Sequence, residues 1–170
     1  MKTRLLLVTA LIALVTSGCG RKDTSTTTPA DSSTAVAAAP AAAGPRVVEI
    51  TANDTMKYSL NTIVAKPGEK LTIVLTNVGT QPKEVMGHNW ILLKAGSDAE
   101  AFDKAATQAK DTNYFPASLS DQVIAHIDLL GPRKSGEVTF TVPSAPGEYP
   151  FLCSFPAHFQ VGMKGVLVVR

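Results

Sequence analysis

Four side chains of this 170-residue sequence could close around one metal ion: His88, Cys153, His158 and Met163. The last three share one stretch, Cys153-Ser154-Phe155-Pro156-Ala157-His158-Phe159-Gln160-Val161-Gly162-Met163. Pro156 opposes both a regular helix and a central strand, so the stretch reads as a loop. A loop can fold back and bring its thiolate, imidazole and thioether to one point. His88 stands far upstream and must be delivered there by the fold. One thiolate, two imidazoles and a distant thioether are the donors of a trigonal copper site with two histidines and one cysteine in the plane and a long axial methionine. The sulfurs suit Cu(I) and the imidazoles tolerate Cu(II). Zinc is the competitor, but its structural sites want four cysteines, or two cysteines with two histidines, and thioether is a poor zinc ligand. Taken one at a time, Cys153 could be a small buried hydrophobe, Met163 core filler and His88 a structural histidine. The ordered set, in a β-rich chain, is the specific observation.

The elements that must position these residues follow from period-two patterning between turn signals. Strands are expected at 47–51, 56–65, 71–76, 89–94, 123–128, 137–142, 148–153 and 164–169. Lys66-Pro67-Gly68-Glu69 and Ser144-Ala145-Pro146-Gly147 read as turns, because Pro presets φ and Gly supplies the permissive next position. Residues 97–110 break the pattern. Ser97 or Asp98 can cap a helix there, Glu100 matches its first-turn dipole, and Ala99, Phe102 and Ala106 form a weak apolar stripe. This predicts one short helix on an excursion between the fourth and fifth strands, and no other. About eight short strands over residues 46–170 predict an all-β Greek-key β-sandwich.

The residues before that domain read as appendages. Lys2 and Arg4 precede an apolar run, Leu5 to Val15, that is too short to span a bilayer and fits an export signal over 1–18. Thr16-Ser17-Gly18-Cys19 resembles a bacterial lipobox, with Thr16 where Leu is usual, so Cys19 is the expected lipidation site. An ordinary signal peptide cut near Gly18 is the alternative. A cysteine carrying several acyl chains would anchor stably. In residues 20–45, Ala, Ser, Thr and Pro make up 19 of 26 positions, a composition that cannot bury enough apolar area to fold. As a flexible leash it would span about 28 Å. Removing Lys2 and Arg4 from the sixteen Lys and Arg leaves fourteen, equal to the fourteen Asp and Glu. The remaining side chains are therefore neutral overall, and nothing in the charge points to nucleic acid. With two cysteines in the chain, Cys19 and Cys153, a disulfide scaffold is not expected.

The sequence resembles the azurins, and the cupredoxins more broadly, over nearly all of 47–170. Pro82-Lys83-Glu84-Val85-Met86-Gly87-His88-Asn89-Trp90 is similar to the azurin first-histidine loop. Val123-Ile124-Ala125-His126 and Val138-Thr139-Phe140 are similar to its middle strands. Cys153-Ser154-Phe155-Pro156-Ala157-His158 and Met163-Lys164-Gly165 are similar to its ligand loop and last strand. The resemblance implies the cupredoxin sandwich, one type 1 copper ion, and the ligands His88, Cys153, His158 and Met163. It also implies Gly87 as a weak second axial contact through its carbonyl. Asn89 matches the residue that ties the two ligand loops together near the Cys sulfur, and His126 lies outside the copper sphere near the surface. Three features depart from azurin. Four residues rather than three separate His158 from Met163, a spacing more like the membrane-tethered auracyanins. Arg46 and Gly68 stand where azurin has a disulfide. The lipobox and leash are atypical of a freely periplasmic azurin.

A centre whose positions are all filled by protein leaves none open for a substrate. That argues for outer-sphere electron transfer between redox proteins, such as cytochromes or copper and haem reductases and oxidases, and against an enzyme acting on a small molecule. The expected docking surface is an apolar patch around a solvent-facing edge of His158, built from the loop residues Phe155, Pro156, Ala157, Phe159 and Val161 together with Met86 and Met56. Three rivals are weighed. A thiol enzyme would pair Cys153 with His158, but has no obvious orienting residue and leaves His88 and Met163 idle. A periplasmic copper carrier of the same fold would favour an open, thiolate-free site. A cupredoxin-based redox enzyme such as nitrite reductase needs a second copper site, which His126 alone cannot supply. The expected place is outside the cytoplasm, periplasmic or at the cell surface, anchored by lipid to a bacterial membrane.

Overall fold

The computed structural model describes residues 44–170; the export segment, Cys19 and the tether up to residue 43 lie outside the described residues. Among the described residues, apolar runs form nine strands: β1 (Arg46–Asn53), β2 (Lys57–Tyr58), β3 (Thr62–Ala65), β4 (Lys70–Asn77), β5 (His88–Leu93), β6 (Val123–Leu130), β7 (Ser135–Thr141), β8 (Gly147–Leu152) and β9 (Lys164–Val169). They make two sheets, ordered β2-β1-β4-β7 and β3-β9-β8-β5-β6. Two pairings are parallel, β1 with β4 and β3 with β9; the rest are antiparallel. The expected all-β sandwich is thus the observed architecture.

One expected strand divides. The run 56–65 becomes β2, paired with β1, and β3, paired with β9, so the chain changes sheets at Ser59–Asn61. Met56 is outside both and adopts a left-handed φ of 57°. The apolar positions are 58 and 60 before the corner and 63 and 65 after it, a change of parity that turns the inward face around.

The expected excursion helix is α2 (Ala99–Thr107), with α1 (Lys83–Met86) as an additional single turn before it. Asp98 caps α2, its Oδ1 accepting from the amides of Glu100 and Ala101 at 3.0 Å each. The expectation of a single helix therefore needs correction. Pro82 starts α1 because its fixed φ, here −54°, suits the entry to a helix, and its carbonyl accepts from Val85 and Met86. Two 3-10 turns, Lys110–Thr112 and Ala117–Gln122, complete the excursion.

Strand β5 is buried along its whole length. Trp90 and Leu92 face the core between the sheets, with Ile50, Leu71, Ile73, Leu75 and Phe151. Ile91 and Leu93 face a second cluster with Leu152, Phe159 and Phe102 of α2. The helix therefore covers the outer face of the five-stranded sheet. Burying two faces makes β5 a fixed support for the histidine at its start.

Candidate metal centre

His88 opens β5 directly after α1 and Gly87. A Cβ at Gly87 would lie 2.6 Å from the Lys83 carbonyl oxygen and 2.8 Å from Leu129 Cγ, so only glycine lets the chain pass here. Cys153 follows the end of β8, and His158 lies in the loop that returns to β9. The loop closes on itself through the main chain: Cys153 N donates to Met163 O (3.1 Å), and Met163 N donates to His158 O (2.9 Å). Met163 therefore fastens both neighbouring donors to its own position, and its side chain is wholly buried.

The fold brings His88, Cys153 and His158 together as expected. One donor atom from each lies within 4.8 Å of the others, and all three residues are buried. Cys153 Sγ is 3.4 Å from His158 Nδ1, and the two imidazole rings are 4.9 Å apart. Neither nitrogen of His88 meets a hydrogen-bond partner among the described residues. Leaving a buried polar group so costs about 1–3 kcal/mol unless something else satisfies it. Burial lowers the pKa of both histidines, that of His158 to about 4, with His88 opposing its charge as well. At His88, the Asp54 carboxylate works against this effect of burial. Burial also pushes the Cys153 thiol up to about 12, although the amides of Asn89 and Phe155 favour the thiolate. The three residues thus offer two borderline nitrogens and one soft sulfur, all uncharged and within 4.8 Å of one another. They fit copper in kind and in number.

Asn89 joins the two ligand segments. Its Nδ2 donates to Ser154 Oγ and its Oδ1 accepts from Ser154 N, both at 2.8 Å, so the residues after His88 and Cys153 are locked side by side. Ser154 Oγ donates in turn to Tyr114 O (2.6 Å), and the Tyr58 hydroxyl donates to Asn89 O. Sequence reasoning did not single out Ser154, Tyr58 or Tyr114. The position of Ser154 between Cys153 and Phe155 was the available signal.

The expected docking residues divide. Ala157 is exposed, and Met86 and Pro156 are half-buried. Phe155, however, is 6% exposed, with its ring 5.0 Å from Tyr114 and 4.8 Å from His158. Phe159 is 8% exposed and belongs to the cluster under α2. Both are core residues, because aromatic rings beside the donors are needed to keep water out. His158 itself is 1% exposed, so the expected solvent-facing edge is covered. The exposed large apolar residues near the donors in sequence are Val85 and Val161, at 58% and 44%. His126 is exposed on β6, with Nε2 3.4 Å from Asp128 Oδ1, and takes no part in the donor group.

A two-sheet sandwich that gathers a buried Cys and two His at one end defines the class of small mononuclear copper proteins. Residues 46–170 match the family model of copper binding proteins, the plastocyanin/azurin family, and the chain belongs to that family. It is 37% identical over 126 residues to azurin of Pseudomonas denitrificans, covering 72% of this chain and 97% of that one. It is 39% identical over 123 residues to azurin-1 of Alcaligenes xylosoxydans xylosoxydans, covering 71% and 94%. Among solved structures it is similar to the dithionite-reduced auracyanin of Roseiflexus castenholzii, with TM-score 0.65, 35% identity and coverage of 73% and 96%. Copper is accordingly the cofactor of the group His88, Cys153 and His158.

Proposed function

We propose that this protein is a membrane-tethered blue copper electron carrier that passes single electrons between redox proteins. The observation that carries the reading is the buried convergence of His88, Cys153 and His158. Bound there, copper supplies a one-electron couple between Cu(I) and Cu(II). Met163 would add a thioether donor to this group and the Gly87 carbonyl a weaker contact. Asn89, held to Ser154, keeps the Cys153 and His88 segments at a fixed separation, so that neither oxidation state reshapes the donors. Because the thiol of Cys153 is protonated at neutral pH in the metal-free fold, loading releases its proton.

The surface for partner proteins comprises Met86, Pro156, Ala157 and Val161, with Val85 added and the buried Phe155 and Phe159 left out. Weak redox encounters need less than about 1,200 Å², which a patch of this kind can provide. Such partners are cytochromes or copper and haem oxidoreductases, at a bacterial membrane facing the periplasm or the exterior. Lipid on Cys19 and the leash through residue 45 hold the domain there. A copper carrier with the same fold is disfavoured by the burial of Cys153, which hinders ligand exchange.

The visible spectrum of the full chain loaded with Cu(II) tests the site. An intense thiolate-to-copper band is expected; a colourless protein that retains zinc overturns the reading. Slow copper loss to a chelator with fast electron self-exchange distinguishes the shuttle from the carrier. Partition of the exported protein into detergent, lost in Cys19→Ser, tests the tether.

A further inference from the structure

Helix α2 contributes Phe102 to the cluster over the five-stranded sheet, with Ala99 packed against it, and it buries Ala106 one turn on; next to Phe102 stands a carboxylate. Asp103 is fully buried. Its Oδ2 accepts from Gln160 Nε2 in the loop between His158 and Met163, while its Oδ1 meets no partner among the described residues. A charge on a helix face ordinarily points to water. Here it is turned inward beside the cluster of Ile91, Leu93 and Leu152, where an apolar residue would stabilise the fold more.

The surroundings of Asp103 explain what it holds. Phe159 follows His158 directly, Lys164 follows Met163 directly, and Lys164 Nζ lies 4.1 Å over the Phe159 ring. Burial raises the pKa of the Asp103 carboxyl, with Glu100 assisting, while the hydrogen bond from Gln160 and the ammonium of Lys164 favour the charged form. The four residues between His158 and Met163 are thus held at Phe159 by Lys164 and at Gln160 by Asp103. On its other side Lys57 Nζ donates to Val161 O, and a Cβ on Gly162 would lie 2.9 Å from that nitrogen. Within the segment the bonds are local: Val161 N to Ala157 O at 3.2 Å and Gly162 N to Phe159 O at 3.0 Å. The bonds of Met163 to Cys153 N and His158 O fix its backbone, and the residues between His158 and Met163 are tied to the rest of the fold through the side chains of Lys57 and Asp103. Asp103 supplies the tie that comes from the excursion helix.

We propose that Asp103, through its hydrogen bond to Gln160, is a positioning residue that sets the separation between the Met163 thioether and the plane of His88, Cys153 and His158. The proposal rests on the reading of Met163 as the axial ligand. It makes the excursion helix part of the metal site, although α2 contributes no donor to it.

The test uses the full chain loaded with Cu(II), comparing Asp103→Asn, Asp103→Ala, Gln160→Ala and the double variant Asp103→Ala/Gln160→Ala. Asparagine keeps an acceptor for Gln160 and removes the charge, so the energies and relative intensities of the thiolate-to-copper bands should stay those of the wild type. The two alanine variants should show the same altered band ratio, a raised reduction potential and about tenfold faster copper loss to a chelator. The double variant should go no further than either single one. Gln160 is exposed, so its truncation keeps the test alive if Asp103→Ala fails to fold. Wild-type bands in Gln160→Ala, or additive changes in the double variant, overturn the proposal. A wild type that never becomes blue instead overturns the copper reading itself.

Discussion

At one end of the sandwich, where β1, β4 and the turn after β3 meet, Arg46 Nε donates to Glu69 Oε1 at 2.6 Å and Arg46 Nη2 to Val64 O at 2.8 Å. The Lys66 amide donates to Glu69 Oε2 at 2.9 Å, and Gly68 turns the chain with φ of +72°. Water reaches this end: the Arg46 and Glu69 side chains are 44% and 23% exposed. At the other end, His88, Asn89, Cys153, Ser154 and His158 are all withdrawn from water. The two ends use similar numbers of polar groups to opposite effect. An exposed pair exchanges one set of solvent contacts for another and gains little. A buried group keeps only what the fold gives it, so each missing partner is felt in full. Geometry at the ligand end is therefore specified by a few contacts, and the far end tolerates change.

The largest expected effect is at the ligand end. Cys153→Ser should abolish the blue thiolate-to-copper band while leaving a folded sandwich, since Ser is close in size and the core contacts on β8 remain. Far-ultraviolet circular dichroism and the visible spectrum check the two halves of this statement. A blue Cys153→Ser protein would show that the convergence of these donors is not the copper site.

Next is the pH response of the metal-free protein. Burial holds His158 at about 4, below its ordinary value near 6.5. The folded state therefore prefers the neutral ring, and the unfolded chain takes up the proton first. The contribution of His158 is fully present above about pH 6.5 and is lost as pH falls toward 4, on the order of 3 kcal/mol in all. His88 acts in the same direction. Denaturant midpoints measured across this range should decline with acid, and His158→Gln should flatten the curve. Copper loading should remove the dependence over most of the range, because a metal-bound nitrogen is not free to titrate.

How much of this was legible in the sequence differs between the two levels of structure. The donors could be read because Cys153, His158 and Met163 fall in one loop and their chemistry has few uses together. Most strands could be read because elements such as β1, β6 and β7 turn alternate residues inward, which leaves a period of two in the sequence. The corner at Ser59–Asn61 was hidden by a run that stays apolar and polar by turns; its trace is the shift of apolar positions from even to odd. The misplacement of Phe155 and Phe159 has a different cause. An apolar residue beside a metal ligand looks alike in sequence whether it faces solvent or a covering element, and α2 and Tyr114 provide the cover. Asp103 had no signal at all, since an acidic residue on a short helix ordinarily faces water.

Between the extremes lies the bridge from Asn89 to Ser154. Asn89→Ala removes both 2.8 Å hydrogen bonds and strands the buried amide of Ser154. A loss of about 1–3 kcal/mol is expected. Ser154→Ala removes the hydroxyl but keeps the amide satisfied, and should cost less. Asn89→Ala frees the Cys153 segment from the His88 segment, whereas Ser154→Ala leaves one of the two bonds in place, so the copper bands should broaden more in Asn89→Ala than in Ser154→Ala. A double-mutant cycle should show strong non-additivity. Independent effects would mean that the two ligand segments are held apart by something other than this bridge.

The smallest effect belongs to the far end. Arg46 holds the Glu69 carboxyl below its ordinary range, chiefly by the direct hydrogen bond and with the Lys66 amide assisting. A depressed carboxylate stabilises the fold at pH above its unfolded value and loses that contribution as pH falls through its folded one. At this exposure the contribution should stay below about 1 kcal/mol, and salt should reduce it further. Arg46→Ala and Glu69→Gln should therefore shift the unfolding midpoint slightly, less in high salt, and leave the copper spectrum unchanged. A loss at this end as large as that of Asn89→Ala would remove the contrast between the two ends, because exposure would no longer be what decides the worth of a polar contact.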